Sequence, residues 1–304
     1  MNVASSSEKS LPTTIPEYLE QLRAALRGAD PAMVQDALYD AEEYLRSELA
    51  EQAGRSEAEV IASVAGSYGA PEEVADIYRD TEVTVIRALR PPAPPVRKSA
   101  LGRFFGVAAD PRTYGALFYM LLSMATGIFY FTWVVTGLSM SLGLLVLIIG
   151  IPMLLLFLLS VRVLSLVEGR IVEVMLGERM PRRPLYTQRD KSWLSRIGEM
   201  FTDVRTWTAM LYMLVMLPLG ILYFTVTVTL LSVAFGLIFS PFGIWLNSSV
   251  WISGVNLVTD APWVLPLLAV AGVFLLFGTL HLARGIGKLH GQIAKHLLVR
   301  DPVV

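Results

Sequence analysis

The chain has 304 residues, of which 54% are apolar and only 17% charged, and its net charge is −1. Soluble domains carry about 25% charged residues, so this composition argues against an ordinary soluble protein. The chain has no cysteine, which excludes disulfides, thiolate nucleophiles and cysteine-based metal sites.

Charge is divided unevenly along the chain. Residues 17–82 carry 16 acids and 5 bases, whereas residues 83–304 carry 9 acids and 19 bases. An acidic front part would repel phosphate, so we expect no direct binding of nucleic acid. Residues 1–13 are polar and lack the apolar core of a signal peptide, and they are predicted to be a disordered lead.

Residues 14–90 are predicted to form a small cytoplasmic helical domain. Thr14-x-x-Glu17 and Ser56-x-x-Glu59 match the capping box, in which two side chains satisfy free backbone N–H groups at a helix start. Asp30-Pro31 is a further helix start, with Asp as N-cap and Pro at the first helical position. Apolar residues at helical spacing follow each start. Residues 91–112 are predicted to be a proline-rich linker and a basic juxtamembrane segment.

The rest of the chain contains a duplicated apolar hairpin. A shift of 93 positions places Asp110 on Asp203, and 14 of the 27 pairs from 110 to 136 are identical. Residues 113–161 contain no Asp, Glu, Lys or Arg, and residues 206–283 contain only Asp260. Each stretch is long enough for two membrane spans of about 20 residues. The predicted fold is therefore all-α, with a four-helix transmembrane bundle built from two duplicated hairpins.

We place the spans near 115–136, 141–161, 208–231 and 264–283. The first hairpin and an amphipathic helix occupy 113–180, a cytoplasmic connector 181–205, and the second hairpin 206–304, with an outer loop at 240–263 and an amphipathic C-terminal helix. Bases flank the spans on one side, so the positive-inside rule predicts cytoplasmic N- and C-termini and matching orientation of the hairpins in the plasma (inner) membrane. The amphipathic helix from 284 to 300 fits either the inner leaflet or a partner helix.

The outer loop is the main difference between the two copies, and it is the candidate region for a signal or ligand. Its candidate residues are Trp245, Trp251, Asn256, Asp260 and Trp263. Tryptophan suits a membrane interface, and Asp260 is the only charge in the loop. A lone carboxylate makes a poor metal site, so a solvated loop is the favoured interpretation of Asp260.

Two repeated motifs define a candidate lipophilic pocket. Its residues are Tyr130 and Thr132 in the first copy and Tyr223 and Thr225 in the second. The alternative, which we favour, is an aromatic belt with threonine bonded to its own helix. His281 near the end of span four is a candidate pH-sensitive residue, because histidine titrates near neutrality, but its place beside Arg284 favours an interface role.

Near the ends of the hairpins the copies realign with an offset of 122, which places Glu168 on His290. These two residues could pair across the hairpins, but a solvated surface pair is the favoured interpretation. Ser123-x-x-x-Gly127 and Gly287-x-x-x-Gly291 are small-residue motifs that allow close helix approach. The first is interpreted as packing within the bundle and the second as a hint of a homodimer.

Residues 17–79 resemble the HAAS domain (DUF1700-like), a helical cytoplasmic module of bacterial membrane proteins. The carrying motifs are Gly54-x-Ser56-Glu57-x-Glu59-Val60 and Gly69-Ala70-Pro71-Glu72-Glu73-Val74-Ala75. Residues 110–299 resemble the "putative sensor" membrane domain of actinobacterial sensor histidine kinases. That resemblance is carried by Gly127-Ile128-x-Tyr130-Phe131, Gly150-Ile151-Pro152 and Leu282-Ala283-Arg284-Gly285-Ile286-Gly287-Lys288-Leu289-His290.

The resemblances imply a regulatory input module and bring no catalytic residue, cofactor or metal ligand to this chain. HAAS domains are associated with PadR-type transcription regulators, so the implied partner is such a regulator or a kinase, besides the membrane lipids. The sequence therefore predicts a non-enzymatic membrane sensor that couples a membrane or extracytoplasmic signal to a cytoplasmic protein. The alternative is a small transporter or lipid-handling membrane protein, because duplicated hairpins are a common transporter plan.

Overall fold

The structure is a computed structural model that describes residues 12–52, 54–89, 99–147, 149–181, 198, 201–246, 249 and 251–299. The chain divides into two compact units. The first comprises the described parts of 1–91, 179–200 and 299–304, and the second those of 92–178 and 201–298. The boundaries predicted from sequence differ from this division at 179–200 and at the C-terminus, which they assign to the hairpins and their connector.

The first unit contains four helices: α1 (Ile15–Ala25), α2 (Pro31–Glu51), α3 (Glu57–Ser67) and α4 (Pro71–Leu89). Their starts follow the capping signals. The Thr14 side chain accepts from the Glu17 amide, and the Asp30 side chain accepts from the Ala32 amide. Ser56 and Glu59 form a complete capping box. These predicted helix starts are confirmed, because each cap satisfies a backbone N–H that a first turn leaves free.

The core of this unit is apolar with two anchored tyrosines. Its buried side chains include Leu22, Leu45 and Ile61. The Tyr18 hydroxyl donates to the Gly69 carbonyl at 2.8 Å, and the Tyr78 hydroxyl donates to Asp40 at 2.9 Å. Burial raises the pKa of both phenols above its ordinary value, so they remain neutral donors at physiological pH.

The second unit is also helical. Its elements are α5 (Ala100–Phe105) with a 3-10 turn at Gly106–Ala109, α6 (Pro111–Gly143) with a 3-10 turn at Leu144–Val146, α7 (Gly150–Leu176), α8 (Val204–Phe239), α9 (Phe242–Trp245), the antiparallel pair β1 (Trp251–Ile252) and β2 (Val255–Asn256), and α10 (Val264–Leu298). Four of these helices, α6, α7, α8 and α10, are long and apolar enough to cross a membrane. The predicted all-α fold class is confirmed.

The four long helices extend further than the spans predicted from sequence. Helix α10 has 35 residues and is about 52 Å long at 1.5 Å per residue. The segment from 284 to 298 continues α10 without a break, and Gly287, Gly291 and Ala294 on it are buried. Of the two alternatives for this segment, the structure therefore supports packing against other helices. A single arginine such as Arg284 does not end a helix, so α10 continues beyond the span predicted at 264–283.

The repeated helices α6 and α8 meet through an equivalent pair of glycines. A Cβ atom on Gly127 would lie 2.5 Å from the Met216 carbonyl oxygen, and one on Gly220 would lie 2.3 Å from that of Ser123. These contacts exchange under the 93-residue offset, so the two hairpins are related by a pseudo-two-fold axis. The interpretation of Ser123-x-x-x-Gly127 as packing within the bundle is confirmed.

Around the glycine contact, the two repeated helices do not meet at equal positions of the two copies. Gly127 meets Met216, which is equivalent to Ser123, and Met120 meets Thr227, which is equivalent to Val134. These contacts define the register of α6 against α8. Matching orientation of the hairpins in the membrane stays a prediction.

Paired cysteines test this packing directly, because the chain has no cysteine of its own. The Thr227 hydroxyl lies 3.7 Å from the Met120 sulfur. We expect Met120→Cys with Thr227→Cys to be joined by a short bifunctional maleimide in membranes. The matched pair Met120→Cys with Met213→Cys, which occupies equivalent positions of the two copies, should stay unjoined. Cross-linking of only the second pair would contradict this register.

Candidate functional site

A cluster of polar side chains lies buried within the helical bundle. Its members come from all four long helices: Tyr119 and Tyr130 from α6, Glu168 from α7, Tyr212 and Tyr223 from α8, and His290 from α10. Glu168 and His290 are both 0% exposed. Ionisable groups inside a membrane bundle are costly, so this cluster is the first candidate for a functional site.

Glu168 accepts three hydrogen bonds from tyrosine hydroxyls. Its Oε1 accepts from Tyr119 at 2.7 Å and from Tyr212 at 2.8 Å, and its Oε2 accepts from Tyr130 at 2.9 Å. An ionised carboxylate has about four lone-pair positions, which is enough for three donors. One side chain on α7 therefore holds residues from both of the repeated helices α6 and α8.

His290 contacts the same hydroxyls from the other side. Its Nε2 lies 2.7 Å from the Tyr119 hydroxyl and 2.9 Å from that of Tyr212, and its Nδ1 lies 3.3 Å from that of Tyr223. The hydroxyls of Tyr119 and Tyr212 thus join the glutamate to the histidine. The cluster is one connected network across both hairpins.

The protons of this network follow from a count of donors and acceptors. Tyr119, Tyr130 and Tyr212 each give their hydroxyl proton to Glu168. The Tyr119 and Tyr212 oxygens then accept from an Nε2–H on His290, and Nδ1 accepts from Tyr223. Every group is satisfied when the glutamate is ionised and the histidine is the neutral Nε2–H tautomer.

The cluster follows the pseudo-two-fold symmetry except at its ends. Tyr119 and Tyr212 are equivalent in the repeat, as are Tyr130 and Tyr223. Glu168 and His290 also occupy equivalent positions but differ in chemistry. The duplication thus places an acid at one end of a tyrosine network and a base at the other.

Two equivalent ion pairs accompany the cluster and join the hairpins. Arg162 on α7 lies 2.9 Å from Asp203, and Arg284 on α10 lies 3.1 Å from Asp110. Each aspartate also caps the first helix of its own hairpin, accepting from the backbone N–H two residues ahead. The repeat therefore reproduces one helix cap and one ion pair in each copy.

The interpretation of Glu168 and His290 as a solvated surface pair is wrong, since neither side chain is exposed. A charged residue near the end of an apolar stretch suggested the interface, but α7 and α10 continue past these residues to Leu176 and Leu298. Hydrogen-bond partners on other helices offset the cost of burying the two groups. No local sequence pattern shows these partners.

The four candidate pocket residues separate in the structure. Tyr130 and Tyr223 are buried in the cluster, whereas Thr132 and Thr225 are exposed. Residues two positions apart do not share a helix face, so each tyrosine points away from its threonine. Thr132 instead lines a groove of about 680 Å³ between α6 and α7.

His281 lies on the surface of the second unit, away from His290 on the same helix. Its exposed ring stacks on Phe104 with centroids 5.4 Å apart, and its Nε2 lies 3.0 Å from the Phe104 carbonyl oxygen. Because a carbonyl only accepts, this contact places a proton on Nε2. His281 thus helps to hold the short helix α5 against α10.

The loop between α8 and α10 contains a small hairpin. Trp251 pairs with Asn256 across a turn at Ser253 and Gly254, where φ is 50° and 83°, as a type I′ turn requires. The candidate side chains Trp245, Trp251 and Trp263 are all exposed. Asp260 accepts from the Asn256 amide at 3.2 Å and from the Thr259 hydroxyl at 2.8 Å. These contacts lie within the loop and stabilise its turn.

The second small-residue motif is used inside the bundle. A Cβ atom on Gly287 would meet the Ala116 side chain at 2.7 Å, and one on Gly291 would meet that of Glu178 at 2.5 Å. Both glycines are buried. The motif therefore serves contacts between helices of one chain, and a homodimer stays a prediction without support from it.

Arg179, which sequence reasoning did not single out, forms a buried ion pair in the first unit. It pairs with Asp36 on α2 at 3.2 Å and also with Glu82 on α4. Its side chain is 15% exposed, and that of Asp36 is 7% exposed. Arg179 follows the last residue of α7 by three positions. The chain thus passes within a few residues from a membrane helix to an ion-paired position of the helical domain.

Removal of this arginine would leave two mostly buried carboxylates without their cation. We expect Arg179→Gln to destabilise the packing of α2 and α4 by about 3 kcal/mol, the usual cost of breaking a buried pair. Faster amide hydrogen exchange in both helices of the full chain would report it. Arg23→Gln, on the exposed surface of α1, is the control. Equal exchange in the two variants would show that the pair contributes nothing.

Comparison with family models gives a match over the bundle. The family described as "Putative sensor" covers residues 119–298, which is more than half of the chain and includes every member of the cluster. The chain belongs to this sensor family. With its four long apolar helices, this member of the sensor family is a multi-pass membrane protein. Comparison with curated proteins and with solved structures finds no match.

The sensor-family match starts within α6 and does not include the first unit. The resemblance of residues 17–79 to the HAAS domain therefore stays a prediction. The four helices and their caps agree with a small helical module, but a fold of this kind does not by itself identify a function.

Proposed function

We propose that this chain is a non-enzymatic sensor of the bacterial inner membrane, with its N-terminal helical domain in the cytoplasm. The buried cluster of Glu168, His290 and four tyrosines is its sensing core, and the helical domain is its output. The domain binds a cytoplasmic protein according to the state of the bundle. The observation that carries the proposal is a fully buried polar network that joins both hairpins.

The network supports a sensing role because stability alone gives little reason to keep it. Replacement of buried ionic groups by apolar side chains of similar volume is often neutral or stabilising. Here four helices share one carboxylate and one imidazole. A change at either group alters contacts on every long helix, and such a shared set of contacts is what a two-state bundle needs.

The chain path supports an output through the helical domain. Glu168 lies eight residues before the end of α7, and Arg179 lies three residues after it, paired with α2 and α4. A shift of α7 would therefore act on Arg179 through the short link at Gly177 and Glu178.

The charge of the helical domain indicates the kind of partner. Residues 17–82 carry 16 acids and 5 bases, so the domain favours a protein with a basic surface. The HAAS resemblance implies a PadR-type regulator or a kinase. The bases that precede α6 favour the cytoplasmic side for this domain.

Capture of the partner from living cells tests this function. The full-length chain carries an affinity tag, is cross-linked in the cell and is purified from membranes. We expect a specific cytoplasmic protein whose recovery changes by about fivefold in Glu168→Gln, the lower end of typical allosteric coupling. Glu173→Gln, on the same helix in a local pair with Arg170, should recover the wild-type amount. Equal recovery in all three proteins, or no specific protein at all, would contradict the proposal.

A proton-coupled transporter is the second candidate function, and the buried acid and base are the observation that favours it. Transporters often place ionisable groups between duplicated hairpins. Purified protein in sealed vesicles, with a pH dye inside, distinguishes the two functions. A sensor should leave an imposed pH gradient intact, whereas a transporter should dissipate it.

A further inference from the structure

We infer that the buried cluster is a binding site for one proton, shared between Glu168 and His290, and that this proton is the stimulus of the sensor. The inference rests on the proposed function and names the ligand of its site. His281, the candidate pH-sensitive residue of the sequence, has an exposed ring that is bonded to a backbone carbonyl.

Hydrogen-bond donors and acceptors in the network are balanced before proton uptake. With an ionised glutamate and a neutral histidine, each hydroxyl proton and the Nε2–H has an acceptor. One additional proton, taken from water, adds a donor and removes an acceptor, whether it goes to Oε of Glu168 or to Nδ1 of His290. At least one tyrosine hydroxyl must then turn away.

Neutral phenols face Glu168 and His290 from the two repeated helices. They are Tyr119 and Tyr130 on α6 and Tyr212 and Tyr223 on α8. Arg170 and Lys288, two residues away on α7 and α10, are exposed, and Arg170 pairs with Glu173. Six residues away, Arg162 pairs with Asp203 and Arg284 with Asp110. Also close to this end of α10 is Glu178, whose side chain lies against Gly291. Proton uptake therefore changes the net charge of the cluster from −1 to zero. Among the described residues, no cation is already paired with Glu168.

Proton uptake acts on the helices through the tyrosine hydroxyls. The hydroxyls that must turn are carried by α6 and α8, and the carboxylate that releases them is carried by α7. Tyr119 and Tyr212 contact both titrating groups, and a hydroxyl can accept one proton while it gives another. The same two side chains can thus pass the proton between Glu168 and His290 and loosen the contact between the hairpins.

Infrared difference spectra between neutral and acidic pH test the inference on the full chain in lipid nanodiscs. A carboxylic C=O band that appears on acidification and shifts in D₂O reports protonation of a buried glutamate. We expect this band in the wild-type protein and in Glu173→Gln, and its loss in Glu168→Gln. Tyr130→Phe removes one donor from the carboxylate and should move the midpoint of the band to higher pH. Tyr223→Phe contacts only His290 and should keep the band.

The outcomes of these measurements separate the proton site from the proposed function. The absence of an acid-induced band, or a band of full size in Glu168→Gln, would overturn the proton site. A stoichiometric metal ion that Glu168→Gln loses would also overturn it, because Glu168 would then be a metal ligand. If Glu168→Gln fails to fold, the shift in Tyr130→Phe against the constant band in Tyr223→Phe gives the answer. An intact band with unchanged partner recovery would overturn the proposed function and leave the proton site standing.

Discussion

Replacement of Glu168 by alanine is expected to lower the free energy of unfolding of the bundle by about 3–5 kcal/mol, the range for a buried pair that loses one partner. Three tyrosine hydroxyls lose their acceptor at once, and these donors come from both α6 and α8. Thermal unfolding of the purified full chain, followed by its helical signal, measures the loss.

Two further substitutions make this measurement specific. Glu168→Gln keeps an oxygen that accepts hydrogen bonds, so it should lose about half as much stability as alanine. Glu173→Ala removes a carboxylate from the same helix that pairs with Arg170, three residues earlier. Such exposed pairs contribute about 0–1 kcal/mol, so this control should stay near the wild type. A loss in Glu168→Ala no larger than that of the control would show that the network does not stabilise the bundle.

Substitution at the glycine contact between the hairpins should also lower the stability of the bundle. Gly127→Ala and Gly220→Ala each place a methyl group within 2.5 Å of a backbone carbonyl on the facing helix. Backbone atoms cannot move aside without separating α6 from α8, so we expect each variant to lose about 3 kcal/mol, the upper end of the usual cost of overpacking. The pseudo-two-fold symmetry predicts similar losses for the two variants.

Gly236→Ala on α8 is the matched control for the glycine contact. A Cβ atom at this position would meet nothing within 4 Å. Alanine is favoured over glycine in a helix interior by about 0.5–1 kcal/mol, so this variant should be as stable as the wild type or slightly more so. If Gly220→Ala behaves like Gly236→Ala in the same thermal assay, the close contact of α6 with α8 is absent in the membrane.

Local features of the sequence were enough to predict the helices and many of their ends. Thr14, Asp30 and Ser56 mark helix starts because a cap depends on residues within one turn. The apolar stretches gave the four long helices, since length and composition decide whether a segment can span a membrane. The repeat showed that the two hairpins have one fold.

The cluster could be predicted only in part. The offset of 122 placed Glu168 on His290, and the offset of 93 paired the tyrosines, so the symmetry was visible in the sequence. Burial was not visible, because it depends on partners from three other helices. Each residue considered alone has a simpler interpretation as an interface or surface side chain.

The register of α6 against α8 and the role of Arg179 could not be predicted. The contact depends on which glycine meets which carbonyl, and the repeat allows more than one register. Arg179 was one base among many in a basic segment, and its two carboxylate partners lie 143 and 97 positions away in the chain. Long-range ion pairs of this kind have no local pattern.

A double-mutant cycle between Glu168 and His290 tests the central claim most directly. Stability is measured for the wild type, Glu168→Ala, His290→Ala and the double variant of the full chain. The hydroxyls of Tyr119 and Tyr212 connect the two residues, so the cycle should give a coupling energy of about 1–3 kcal/mol. Losses that add to within about 0.5 kcal/mol would show two independent residues and would contradict a single network joining the hairpins.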